Sequence, residues 1–385
     1  MEHRGFALFR NDFDGNELFF HEPESLILAE DPADFADALA RMEGARAEGR
    51  WLAGYFSYEA GYLFEKKLAP LLPAGRRAPL ACFGVFKRPS ESEPRRVLPS
   101  RSNRAPGIEA ATARWSAEDY EARFERLHAH LRAGDCYQGN LTFPIDARWE
   151  GEPLSLFEAL AERQPVRHSA LLELAGPVVL SRSPELFFQV GRDGWIESLP
   201  MKGTAPRGST RQEDEDLARA LAADPKTQAE NRMIVDLLRN DISRISEVGT
   251  LDVPELFAIQ SFATVHQMVS RVRARLLPGL TIAEIFAALF PCGSITGAPK
   301  MRAMEILRGL EEAPRDVYCG AIGWISPGGP MRFSVAIRTL SLFDEGRARY
   351  DVGGGVVFDS TSAGEYEECL WKARFATGET VRHRA

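Results

Sequence analysis

Two periods run through this chain. Apolar residues recur at steps of three and four over 33–48, 116–133, 210–223, 227–243, 282–288, 299–310 and 363–375, which predicts helices there. Alternation or short apolar runs predict strands at 51–58, 141–149, 169–174, 186–190, 195–198, 318–325, 331–340 and 349–358. No repeat of fixed period occurs. Pro327-Gly328-Gly329 between two apolar runs is a hairpin signal, so the expected pairing is antiparallel and the expected class is α+β, not a doubly wound sheet. From about 87 to 107 the chain turns polar and proline-rich and loses all period, as a linker does. That break separates an N-terminal α+β segment packed on the core, 1–107, from a larger domain, 108–385.

Composition narrows the possibilities. The chain has 385 residues, 44% of them hydrophobic, enough for one large core or two modest ones. A net charge of −8 argues against general affinity for nucleic acid or anionic membrane, so the expectation is no nucleic-acid and no membrane partner. An anionic substrate would need a metal or placed Arg and Lys side chains. Cys82, Cys136, Cys292, Cys319 and Cys369 are scattered, with no Cys-x-x-Cys, which fits a reducing cytoplasm and no zinc site. No apolar run reaches membrane-spanning length, and Met1-Glu2-His3-Arg4 leads into no signal-type core. The expected location is cytoplasmic.

Several runs could carry chemistry. In Pro200-Met201-Lys202-Gly203-Thr204-Ala205-Pro206 the prolines fix the chain and Gly203 permits close approach, so Lys202 is pinned; burial would favour its neutral, nucleophilic amine. A solvated surface turn is the alternative. Cys292-Gly293-Ser294-Ile295-Thr296-Gly297-Ala298-Pro299-Lys300 reads as a loop feeding a helix capped by Thr296, able to present N–H groups to an anion; it is no Walker loop. Glu230 shares a helix face with Met233, Ile234 and Leu237, where a carboxylate must be paired, metal-bound or at the solvent end. Glu365, Glu368 and Lys372 line one side of the last helix, with Ser362 and Glu365 as a capping box, behind Gly353-Gly354-Gly355. Arg338 has the strand parity of Ser334 and Ala336, as an arginine facing a polar cavity would. His266, in an apolar segment, reads by itself as a core histidine.

Taken together, Ser183-Pro184-Glu185, Lys202-Gly203-Thr204, Met233 through Asp241, Gly293 through Lys300, Ile337-Arg338-Thr339 and Gly353 through Glu368 resemble the chorismate-utilising enzymes, in the family's order. The resemblance covers roughly 115–375 and implies a sandwich of mostly antiparallel sheets flanked by helices. Within the family, isochorismate and salicylate synthases carry a water-activating lysine where this chain has Gln138, and anthranilate synthases typically have alanine at position 202. Lys202 with Gln138 resembles the branch that makes 4-amino-4-deoxychorismate. For that branch the resemblance implies Lys202 attacking C2 of chorismate and Glu185 as the general acid on the C4 oxygen. It implies Mg²⁺ on Glu230 and Glu368, with Glu365 in the outer sphere. Gly203, Thr204, His266, Ser294, Tyr318, Arg338, Gly354, Gly355 and Lys372 match substrate-pocket positions, which turns His266 from core to pocket.

Three features depart from the family's pattern or extend it. Thr227 stands where an acidic residue is common, so the outer metal shell is open to question. No tryptophan-binding run is evident around Leu26-Ile27-Leu28-Ala29-Glu30, so no bound tryptophan is expected. No glutaminase nucleophile elbow is present, so ammonia is expected from a glutamine amidotransferase subunit or from solution. The alternatives are another chorismate-aminating enzyme such as an anthranilate synthase component, and, outside catalysis, a non-catalytic subunit on the same fold.

Overall fold

The computed structural model describes residues 5–98, 104–262, 265–379 and 381–382; residues 99–103 of the expected linker lie outside them. Among the described residues two antiparallel sheets, of nine and ten strands, form a sandwich with helices on its outer faces. Strand parity builds the layers. In Trp51–Phe56, Leu52 and Phe56 face a core shared with helices, whereas Ala53 and Tyr55 face the layer between the sheets. Phe56 stacks near Phe286 of the helix Ile282–Leu289, at 4.5 Å between ring centroids. The first sheet is covered by Ala117–Arg132, Pro153–Arg163 and Ser362–Thr377, which bury Phe124, Leu127, Phe157 and Leu370. Ala117–Arg132 begins where its pattern predicts, with Ser116 and Asp119 closing a capping box.

The N-terminal segment contributes to both sheets. Phe6–Arg10 pairs with His168–Glu173 in the first sheet, and Trp51–Phe56 pairs with Ala321–Ile325 in the second. Between the sheets the chain makes two crossovers that a strand pattern could not foretell. The expected strand 331–340 is two strands: Met331–Val335 belongs to the second sheet and Thr339–Phe343 to the first. Val178–Ser183 in the first sheet likewise passes through Pro184 and Glu185 into Leu186–Val190 in the second. The rigid run around Lys202, for which a surface turn is the alternative, is a strand, Met201–Pro206, paired with Val265–Arg275. No helix among the described residues is long and apolar enough to cross a membrane.

Candidate active site

The two crossovers lie side by side. Arg182 N–H donates to the Arg338 carbonyl at 2.9 Å, Val335 N–H donates to the Glu185 carbonyl at 3.2 Å, and Ser183 Oγ donates to the Val335 carbonyl at 2.6 Å. The lacing fixes Glu185 and Arg338 at the end of the inter-sheet layer, where both line a cavity of about 150 Å³. Arg338 has φ +52°, a left-handed conformation that its neighbours must hold in place. Burial alone pushes its guanidinium down to about 10, and no acidic group offsets that. Glu185 is buried, and Ser294 Oγ donates to its Oε1 at 2.8 Å. Burial pushes the Glu185 carboxyl up to about 7, against the Ser294 hydrogen bond and the charge of Lys202. A carboxyl poised there can give or take a proton near neutral pH.

Lys202 comes from the opposite wall. Gly203 has φ +76° and interrupts the pairing register between Lys202 and Thr204, a bulge that re-aims the side chain before it. A Cβ on Gly203 would lie 2.2 Å from Thr227 Cγ2, so the strand rests directly on the helix Pro225–Ser243. Across the cavity Gly355 presents bare backbone: a Cβ there would lie 3.4 Å from Lys202 Nζ and 3.1 Å from the Gln138 amide. Gln138 is fully buried, yet neither its Oε1 nor its Nε2 has a hydrogen-bond partner among the described residues. Buried unpartnered amide atoms are costly and mark a place for a ligand.

The carboxylates gather beside this wall. A Cβ on Gly354 would lie 2.6 Å from Glu365 Oε2. Burial raises the Glu365 carboxyl, Ser360 Oγ opposes by donating at 2.7 Å, and the charges of Glu368 and Glu230 push it up further. Burial also lifts Glu368, but the Lys372 ammonium, 2.8 Å away, outweighs it and holds that carboxyl below the ordinary range. Lys372 Nζ donates as well to the Gly353 carbonyl at 3.1 Å. Among the described residues no three acidic, His or Cys side chains converge tightly enough to enclose a metal, because Lys372 and Ser360 hold two of the carboxylates. The donor set itself, all carboxylate oxygen with like charges left facing one another, fits a hard divalent cation.

Other expected residues divide between the cavity, its vestibule and the scaffold. Tyr318 and Ser294 line the cavity with Asn140, Ile295, Asp351 and Phe375, the last four not singled out by the sequence. Thr204 faces an adjoining cavity of about 540 Å³ that shares Arg338, Lys372 and Phe375 with the first. His266 lines neither cavity. On its strand Val265 and Gln267 point to the vestibule and His266 to the other side, where Nδ1 meets Ser261 Oγ at 2.7 Å and Nε2 meets Asp214 Oδ1 at 2.9 Å. Gln267 is therefore the pocket residue of that pair. Thr296 does not cap: its hydroxyl donates back to the Cys292 carbonyl, and the helix Lys300–Leu310 starts from Pro299. Ser362 does not cap either; Thr361 does, accepting from Gly364 N–H.

This geometry can be set beside known proteins. The profile of the chorismate binding enzymes matches residues 6–378. The chain is 45% identical over 260 residues to aminodeoxychorismate synthase component 1 of Klebsiella aerogenes, covering 68% of this chain and 57% of that protein. It is 36% identical over 361 residues to anthranilate synthase component 1 of Methanothermobacter thermautotrophicus, covering 89% of this chain and 77% of that one. Anthranilate synthase component I from Streptococcus pneumoniae TIGR4 superposes with a TM-score of 0.75 at 25% identity, over 96% of this chain and 89% of that one. The match to the Klebsiella protein and a similar one from Salmonella typhimurium spans under two thirds of each, 57% and 58% of their length.

Proposed function

The chain belongs to the chorismate-binding enzymes, and from that premise we propose that it is the synthase subunit that converts chorismate and ammonia to 4-amino-4-deoxychorismate, the precursor of 4-aminobenzoate. The observation that carries the reading is the placing of Lys202 and Glu185 on one cavity, with Arg338 lining it and lacking any acidic partner. Chorismate has two carboxylates and a poor leaving group at C4. Arg338 suits the carboxylate of the enolpyruvyl side chain, bidentately, with Tyr318 and the Gly354–Gly355 backbone alongside. Glu185, protonated at and below neutrality, gives its proton to the departing C4 oxygen. The Lys202 amine forms a bond to C2 as both ring double bonds move one position and the C4–O bond breaks. Ammonia then bonds to C4, both double bonds shift back, the C2–N bond to Lys202 breaks, and a proton from the new C4 nitrogen returns to Glu185. The enolpyruvyl ether survives both steps.

Glu230 and Glu368 would hold Mg²⁺, with Glu365 behind them, and the ion would neutralise the ring carboxylate and draw electron density from the ring. Ammonia would come from a glutamine amidotransferase subunit in a cytoplasmic pair. A second reading has one observation in its favour: a relative matched over 89% of this chain is an anthranilate synthase component. Mass spectrometry of the product from chorismate, ammonium and Mg²⁺ separates the two. A product that keeps the enolpyruvyl group with nitrogen at C4 supports the proposal; anthranilate and pyruvate would overturn it.

A further inference from the structure

Behind the cavity wall lies an arginine that the chemistry above does not use. Arg315 is 2% exposed and sits just past the helix Lys300–Leu310. Glu311, one helical turn earlier, takes its Nε and Nη2 at 2.8 and 2.7 Å. The remaining reach of the guanidinium goes to two backbone carbonyls, Nη1 to Ile295 at 3.0 Å and Nη2 to Asn140 at 2.7 Å. The ring of Tyr58 lies against it at 4.3 Å, and the Arg315 N–H donates to Glu59 Oε1 at 2.8 Å. One side chain thus ties three parts of the chain together.

Two of those parts bear on the cavity. Ile295 closes the single turn Gly293–Ile295, whose Ser294 hydroxyl rests on Glu185. Asn140 lies opposite Gly355 in the first sheet and lines the cavity. From within, the turn is held by long bonds: Ile295 N–H to the Cys292 carbonyl at 3.3 Å, Thr296 N–H to the Gly293 carbonyl at 3.4 Å, and the Thr296 hydroxyl to the Cys292 carbonyl at 3.1 Å. A charge-assisted bond of 3.0 Å from Arg315 is the stronger restraint.

We infer that Arg315 is a positioning residue for the general acid: it pins the Gly293–Ile295 turn so that the Ser294 hydroxyl stays on Glu185, while Tyr58 packs on the guanidinium and Glu59 holds the Arg315 backbone. The N-terminal segment then supports the acid without touching substrate. The inference rests on the reading of Glu185 as the acid.

The test is a titration of the Glu185 carboxyl by infrared difference spectroscopy in the absence of substrate, its band assigned by its loss in Glu185→Gln. Ser294→Ala removes a hydrogen bond that favours the ionised carboxylate, so the midpoint should rise by about half a unit or more. Arg315→Lys keeps the charge but cannot fork to two carbonyls, and should raise the midpoint by a comparable amount. The double variant should move no further than Ser294→Ala alone. In turnover of Arg315→Lys the basic limb of kcat should move with the midpoint, while KM for chorismate stays within about threefold. Should Arg315→Lys fail to fold, Tyr58→Leu loosens the guanidinium from beneath and should give a smaller rise. A midpoint that Ser294→Ala moves but neither Arg315→Lys nor Tyr58→Leu moves would make Arg315 a purely structural residue, as would additive shifts in the double variant. A protein that titrates as expected yet leaves chorismate unconverted would instead overturn the proposed function and keep this coupling.

Discussion

Arg338 and Arg315 are both arginines withdrawn from water, and both border one cavity through their own atoms or their partners, yet they are kept on opposite terms. Around Arg315 nearly every donor is matched: Glu311 bidentately, two carbonyls, and an aromatic face. Its neighbour Arg349 is matched too, holding Asp351 at 2.8 and 3.1 Å and lying 3.6 Å from Asp316. Around Arg338 no charge among the described residues offsets burial, and the Gln138 amide behind Gly355 has no partner among them. The two buried guanidinium groups of the Arg315 cluster are spent on the fold, although Tyr58 Oη, Glu59 Oε2 and Asp316 Oδ2 beside them have no hydrogen-bond partner among the described residues, whereas Arg338 faces the cavity with its donors to offer.

Substitutions can break that contrast. The largest effect belongs to Lys202→Ala, which should lower 4-amino-4-deoxychorismate formation by about a thousandfold or more while thermal unfolding stays near wild type. Product made at the wild-type rate would end the covalent route. On the saturated side, Arg349→Met leaves Asp351 buried without its cation and Asp316 with only Arg77 at 3.9 Å, and urea unfolding should show a loss of about 3–5 kcal/mol. Glu185 sharpens the contrast through pH. Its carboxyl is raised from 4.5 to about 7, so the stability it contributes is fully present below pH 4.5 and lost as pH rises through 7. Between those limits wild type should lose about 3 kcal/mol relative to Glu185→Gln, and a parallel pair of stability curves would refute the burial argument. The smallest structural effect should come from Arg338→Met. With no partner to abandon, stability should change by less than about 1 kcal/mol, although KM for chorismate should rise at least about tenfold.

The sequence carried the scaffold better than the aim of individual side chains. Ala117–Arg132 was legible because its cap and its apolar stripe agree, and local agreement of that kind needs no tertiary knowledge. The break inside 331–340 was not, since Val335-Ala336-Ile337 reads as unbroken strand and only pairing with two different sheets parts it. Lys202 was found through its fixed neighbours, but the run they pin is a strand and not a surface turn, because Gly203 absorbs the irregularity as a bulge. His266 and Gln267 show the limit most plainly. Alternation says that two adjacent residues face opposite ways, and only the assembled sheet says which way is in. Asn140 and Asp351 gave no signal, being ordinary strand residues whose neighbours across the sheet make them part of the wall.

The crossover at Ala336, Ile337 and Arg338 has a mechanical consequence. Val335 is hydrogen-bonded into one sheet and Thr339 into the other, so four peptide links are all that join the two layers at that point. Fully extended they reach roughly 14 Å, against the roughly 10 Å at which stacked sheets ordinarily rest. Such a tether leaves only a few ångströms of slack. A ligand of the cavity would therefore enter from the vestibule side, past Thr204 and Gln267, and not by the sandwich parting like a clam shell.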